Sequence, residues 1–244
     1  MTGQTPVRDR HLRATDVEAG RIREAYARRQ KASQGKYSFL NPSHVLLIQE
    51  RDSELLAMLC RFGVDSLEGK RVLEIGCGTG YLLRAFLQWG AHPEDIFGID
   101  LLQERIDQAR KLCPHGVHLE CGDAVGLGFP DASFDLVIQS VVFSSILGLE
   151  MRQQITGQML RVLKPGGLIL WYDFFVDNPR NPDVRGIRSG EIRKLFPDCQ
   201  IYLRRITLAP PLGRLVGQYS PFMYMLLSRS KILCTHYLGV IKKN

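Results

Sequence analysis

Three glycines at alternate positions, Gly76, Gly78 and Gly80, stand directly behind the apolar run Val72-Leu-Glu-Ile75, and an acid, Glu74, is embedded in that run. A buried strand that ends in such a loop and passes into a helix, here predicted over 79–88, offers bare backbone to a ligand. Missing Cβ atoms permit positive φ and a close approach. A dinucleotide fingerprint would place its third glycine one residue later, as G-x-G-x-x-G. Here the spacing is G-x-G-x-G. A carboxylate inside an apolar strand is costly unless it is paired, so Glu74 calls for a partner.

The elements that must position this loop alternate along the chain. Strands are predicted at 71–75, 96–100, 117–120, 134–139 and 168–172, with helices at 79–88, 103–112 and 149–163 between them. Strands this apolar, separated by helices, imply a parallel sheet covered on both faces. The expected fold class is α/β, a doubly wound, mostly parallel seven-stranded sheet whose ligands bind beyond the carboxyl ends of the strands. Two more strands are expected at 200–208 and 235–242. Upstream, 1–15 shows no apolar periodicity and is expected to be disordered or loosely attached. A basic helix is predicted over 16–31, with Ile22, Ala25 and Tyr26 on one stripe. Asn41-Pro42 then opens a helix that should stop at Gly63. The expected division is a tail and helical cap over 1–63 and a catalytic domain over 64–244.

The pattern E-x-G-x-G-x-G resembles motif I of the class I S-adenosylmethionine-dependent methyltransferases, a Rossmann-like fold with its last strand antiparallel. Further matches follow in order: Gly98-Ile-Asp-Leu101, Cys121-Gly-Asp-Ala124, Phe134-Asp-Leu-Val137, and Leu160-Arg-Val-Leu-Lys-Pro-Gly-Gly167. The resemblance covers roughly 70–173 and returns in the last two strands. It implies a cofactor, S-adenosyl-L-methionine, with S-adenosyl-L-homocysteine as product. It also implies that Asp100 takes both ribose hydroxyls, since a carboxylate accepts two hydrogen bonds at once, and that Asp123 meets the adenine amino group. Glu74 would lie near the methionine end. Gly76, Cys77, Gly78, Gly80, Tyr81, Leu101, Ala124 and Gln139 complete the implied cofactor site. Tyr26 and Arg29 sit on a helix of the kind that caps the cofactor in the ubiquinone-methylase-like branch, and Tyr37 and Asn41 follow it. Asp135 and the Pro-Gly-Gly turn read as structural.

A sulfonium methyl is already electrophilic, so an acceptor need only be held in line at about 3 Å. A base adds modestly. Tyr172 and Asp173, ending strand five, are the catalytic candidates. Tyr37, Phe143, Asn178, Arg180 and Arg185 are the substrate-side candidates. The arginines suit an anionic acceptor or, equally, hold their own loop to Asp177 and Asp183. The segment 178–187 looks like one from a bacterial branch associated with small-molecule or surface-glycan biosynthesis. Strand four ends Gln139-Ser-Val-Val142, without the Asn/Asp-Pro-Pro-Tyr of adenine-amino methylation, the Pro-Cys of cytosine-carbon methylation, or the acid of the metal-dependent catechol type. No metal is expected. The 26 residues over 209–234, rich in proline, aromatics, Met and Leu, are expected to form a lid or acceptor pocket, or else an apolar helix packed on the core or at an oligomer interface.

The chain has 244 residues, 45% hydrophobic, with a net charge of +7. That charge is uneven: +5 over 1–36, −7 over 37–179 and +9 over 180–244. Basic ends could draw an anionic substrate, a nucleic acid or a membrane surface. The leading expectation is O- or N-methylation of a small-molecule acceptor, anionic or glycan-related. The alternatives are a nucleic-acid or lipid-linked saccharide methyltransferase and a non-enzymatic cofactor-binding scaffold. Nucleic acid is not the expected partner. No apolar run reaches the ~18 residues of a membrane span, which leaves peripheral membrane contact open, and the chain is expected to be a monomer or homodimer. Six cysteines without paired or metal-type spacing predict reduced thiols and a cytoplasmic protein, and the likeness of 178–187 to a bacterial branch implies a bacterial one.

Overall fold

A computed structural model describes residues 7–32 and 38–243, with the side chains of 7–13 and 30–32 left aside. Seven strands, β1 Val72–Ile75, β2 Ile96–Asp100, β3 His118–Cys121, β4 Phe134–Ser140, β5 Leu163–Phe174, β6 Cys199–Leu208 and β7 Cys234–Lys243, form one sheet. Its order is β3-β2-β1-β4-β5-β7-β6. The first five strands pair in parallel, and β7 runs antiparallel to both β5 and β6. The expected mixed, mostly parallel sheet is present, and its register sets the tips side by side: Ile75 pairs with Ile99 and Gln139, and Asp100 with Cys121.

Helices cover both faces because successive strand residues point to opposite sides. From β1, Leu73 and Ile75 enter one core with α5 (Leu149–Val162) and α6 (Ser189–Leu195), while Val72 enters the other with α2 (Pro42–Arg61) and α3 (Tyr81–Gln88). Helix α4 (Gln103–Leu112) adds Ile106 to the second core. Asn41 caps α2 by accepting from the Ser43 amide, with Pro42 at the first helical position, as the Asn-Pro pair predicts.

The structure departs from expectation in three places. Helix α1 runs from Val7 to Ala32, so it starts well before residue 16. Helix-favouring Arg, Leu and Ala extend it where an apolar stripe does not. Strand β5 reaches Phe174, because β7 pairs with it as far as the Phe174–His236 couple. The segment between β6 and β7 folds into two short helices, α7 Pro210–Gly217 and α8 Pro221–Arg229. They pack against α2 and β6 instead of closing over the strand tips. Tyr37 lies outside the described residues. Among those residues no helix is long and apolar enough to cross a membrane, and no group of His, Cys, Asp and Glu is arranged to hold a metal.

Candidate functional site

The glycine loop turns sharply where the sequence places it. Gly76, Gly78 and Gly80 have φ of 68°, 55° and 75°, a region open to glycine at little cost. The Gly76 amide donates to the Ile99 carbonyl at 2.8 Å, tying the loop to the tip of β2. A Cβ on Gly76 would stand 2.5 Å from Cγ2 of Val142, so the absent side chain keeps open the gap between the loop and the end of β4. Val141, just past that strand, is held at φ 59° while its amide donates to the Tyr172 carbonyl at 2.7 Å. A β-branched residue in that conformation is strained, and such strain gathers at ligand sites.

Beyond these tips lies a cavity of about 260 Å³. Its floor is Ile75, Gly76, Ile99, Asp100 and the Gly122-Asp-Ala124 turn, and its far wall is Ser140 to Val142 with Met151 and Ile155 of α5. Helix α1 roofs it with Ile22 and Tyr26. The roof is fastened: Arg21 donates to the Ser145 carbonyl at 2.6 Å, the Tyr26 and Ser145 hydroxyls lie 3.4 Å apart, and Glu18 accepts from the Leu147 and Gly148 amides at the start of α5. The Arg105 guanidinium sits 4.4 Å from the centre of the Tyr26 ring, bridging α4 to the roof.

Polar groups line one side of this apolar chamber. Asp100 Oδ2 accepts from the Gly78 amide and Oδ1 from the Leu102 amide, both at 2.9 Å. Each oxygen keeps a second lone pair for a ligand hydroxyl. Asp123 Oδ1 accepts from the Val125 amide at 3.1 Å, and burial raises its carboxyl above the usual range against that hydrogen bond. Glu74 lies beneath the loop. Burial pushes its carboxyl up to about 8, the Asp100 charge adds to the rise, and Arg51 opposes it. Its Oε2 is buried with no hydrogen-bond partner. An orphaned carboxylate oxygen beside a glycine cradle fits a ligand bearing a cationic amine, and the two strand-end acids fit one bearing hydroxyls and an exocyclic amine.

Tyr26, Gly76, Asp100, Leu101, Asp123 and Ala124 therefore come together on the cavity wall. Gly78 and Gly80 shape the loop behind it. The Cys77 side chain is buried in the second core, where burial raises its thiol. Tyr81 stands beside the loop and donates to Asp52 at 2.7 Å, its hydroxyl pushed up to about 12 by burial and that partner.

Other expected residues stay away from the cavity. Gln139 is fully buried and turns inward, accepting from the Val142 amide at 3.1 Å. Phe143 is core, packed 4.7 Å from the Trp171 ring. Because β5 is longer than expected, Tyr172 and Asp173 lie within the sheet. The Tyr172 hydroxyl is 2.9 Å from that of Thr207, and burial raises its pKa against that hydrogen bond. Asp173 accepts from the Ser144 amide at 3.1 Å and the Phe174 amide at 2.8 Å, with burial pushing its carboxyl up to about 6. It positions the loop after β4. Arg29 reaches Asn181 at 3.5 Å and Asp183 at 3.9 Å. Arg28 joins Asp183 at 3.0 Å, so Asp183 serves as an anchor for α1. Arg185 pairs with Glu191 at 2.7 Å, while Asn178 and Arg180 are exposed on the same loop. Asp135 is structural as expected: the Lys164 ammonium and Arg71 amide outweigh burial and hold its carboxyl low.

Sequence reasoning missed Ile22, Arg105, Ser140, Val142, Met151 and Ile155. The pairs Ile22/Tyr26 and Met151/Ile155, each four apart on a helix, were readable as faces. What those faces meet was not.

Residues 72–167 match the model of a methyltransferase domain. A fatty-acid O-methyltransferase of Mycolicibacterium smegmatis is 40% identical over 114 residues, 44% of this chain and 38% of the relative. A 27-O-demethylrifamycin SV methyltransferase of Amycolatopsis mediterranei is 30% identical over 164 residues, 62% of this chain and 58% of the relative. The chain thus spans less than two thirds of the length of either relative. Among solved structures, an S-adenosylmethionine-dependent methyltransferase from Mesorhizobium loti aligns with a TM-score of 0.59 at 19% identity, covering 78% of this chain and 96% of that one. The [4+2]-cyclase SpnF aligns with a TM-score of 0.58 at 18% identity, covering 79% and 81%. At such identities the likeness is one of fold.

Proposed function

Residues 72–167 matching a methyltransferase-domain model, we propose that the chain is a class I S-adenosylmethionine-dependent methyltransferase that moves a methyl group to an oxygen or nitrogen of a small-molecule acceptor and releases S-adenosylhomocysteine. The observation that carries this reading is the strand-tip cavity, with a glycine cradle and two acids at adjacent tips, and beneath the cradle a buried Glu74 oxygen without a hydrogen-bond partner. The bound sulfonium supplies the electrophilic methyl.

The residues divide the remaining work. Asp100 and Asp123 take the ribose hydroxyls and the base amine, and Glu74 faces the amino group of the methionyl end. Ile99, Leu101, Ile146 and Met151 exclude water around the nucleoside, which strengthens those polar contacts. Tyr26 and Arg105 close the roof. The acceptor then needs placement more than acid–base help. Asp173 and Tyr172 act at one remove, by fixing the loops at the ends of β4 and β6. The fatty-acid and rifamycin O-methyltransferases among the relatives favour a hydroxyl or carboxyl acceptor.

The test is release of S-adenosylhomocysteine over a panel of small alcohols, carboxylic acids and amines, fatty acids among them. Turnover above the acceptor-free background with at least one class is expected. Tight cofactor binding with no turnover across the panel would instead favour a scaffold.

A further inference from the structure

The segment between β6 and β7 has its amphipathicity turned outward. Helix α7 sets Gly213 and Gly217 against the body, and α8 sets Tyr224 and Ser228 there. The fit is close: a Cβ on Gly217 would stand 2.9 Å from the Ser43 hydroxyl, Ser43 donates to the Arg214 carbonyl at 3.1 Å, and Tyr224 donates to Glu50 at 2.9 Å. The large apolar side chains point to solvent instead. Among the described residues, eight of the fifteen exposed large hydrophobic ones lie between 209 and 233, including Tyr219 at 79%, Phe222 at 72% and Ile232 at 82% exposure. Two more, Phe39 and Leu40, precede α2, whose start is the part that Gly217 touches. Phe39 in turn stacks 5.6 Å from Tyr81, the residue after the glycine loop. The apolar surface thus continues to the edge of the cofactor-side loop.

The segment's own charge has one sign. No acid follows Asp198, whereas seven basic residues do, including Arg214, Arg229 and Lys231 within the helical segment. A second copy of the chain set on this face would bring those cations toward their own images, with no carboxylate on the segment to answer them. An anionic bilayer answers them directly: aromatic, Met and Leu side chains enter the headgroup–acyl boundary while flanking Arg and Lys meet phosphates. We propose that α7, α8, Phe39 and Leu40 form a docking face for an anionic lipid surface, from which the methyl acceptor is taken. The second clause rests on the methyltransferase reading, and the docking itself does not.

The test uses the full chain with no cofactor added, sedimented with vesicles of phosphatidylcholine alone and with phosphatidylglycerol mixed in. Binding to the anionic vesicles should exceed binding to the neutral ones by about tenfold or more and weaken with added salt. Phe222→Ser combined with Leu226→Ser should lose that binding by about tenfold. Arg229→Gln combined with Lys231→Gln should bring anionic and neutral vesicles close to parity. All four side chains lie away from the cavity, so melting temperature and cofactor affinity should stay as in the wild type, which separates lost docking from lost fold. Absent binding of folded wild-type chain to anionic vesicles overturns the proposal. So does a dimer in solution that Phe222→Ser with Leu226→Ser dissolves. Either result leaves the cofactor-binding measurements, and the methyltransferase reading, standing.

Discussion

The two halves of the sheet use buried polar groups in opposite ways. On the β3-β2-β1-β4 side, carboxylates at strand tips have one backbone amide per oxygen or less, and they border an open chamber. On the β5-β7-β6 side the polar groups are closed on one another: Tyr172 with Thr207, Asp173 with Ser144 and Phe174, and His236 stacked 4.8 Å from Tyr172 with its imidazole pushed down to about 3 by burial and Arg51. Asp100 and Asp173 each accept one backbone amide per oxygen; what separates them is that Asp100 borders the chamber, as a binding wall does, and Asp173 faces the chain, as a brace does.

The contrast breaks most sharply at the cradle. Gly76→Ala forces a Cβ onto Val142 from a positive φ and should weaken S-adenosylmethionine binding by about 100-fold, ~2.7 kcal/mol, in a calorimetric titration. Retained affinity would mean that the ligand does not use this gap. Asp100→Ala follows. It strands two backbone amides and two ligand hydroxyls, and should cost about 1–3 kcal/mol of binding.

Glu74→Gln sharpens the comparison through pH. In the fold the Glu74 carboxyl titrates at about 8 instead of 4.5, so the native chain holds a proton that the unfolded chain releases. Stability therefore falls as pH rises from about 4.5 to 8, and the glutamine variant should lack that fall in thermal melts. A cationic amine beside Glu74 favours its charged form. Cofactor binding should accordingly release a proton at pH 7 and tighten toward pH 8, and titrations in buffers of different ionisation heat read this directly. Glu74→Gln should abolish the release.

The smallest effect belongs to the braced side. Asp173→Asn should leave cofactor affinity within about threefold, because its oxygens face the chain and not the chamber. It should also remove a loss of stability between pH 3.8 and about 6, since burial raises the folded carboxyl over that interval. A large loss of cofactor affinity would move Asp173 back to the site.

The same division explains what the sequence disclosed. The cradle, Asp100 and Asp123 are local: a strand, its tip and its turn lie within a few residues, and glycine spacing encodes the backbone conformation. The second half depends on partners far along the chain. Strand β5 is two residues longer at its tip than its own apolar run suggests because β7 pairs with it, and those two residues draw Tyr172 and Asp173 into the sheet. Phe143 and Gln139 read as tip residues by position, but their side chains turn into the core, a choice set by packing. The segment over 209–234 is legibly apolar; only its glycines and Tyr224, pressed on α2, reveal that its large side chains face outward.

The central claim is that a sulfonium nucleoside occupies the chamber over the first four strand tips. Calorimetric titration of the full chain with S-adenosylmethionine, run beside Gly76→Ala, tests it most directly. One binding event per chain in the wild type, lost in the variant while both melt cooperatively, is the predicted result. Folded wild-type protein that gives no binding heat, or a variant that binds equally well, would contradict it.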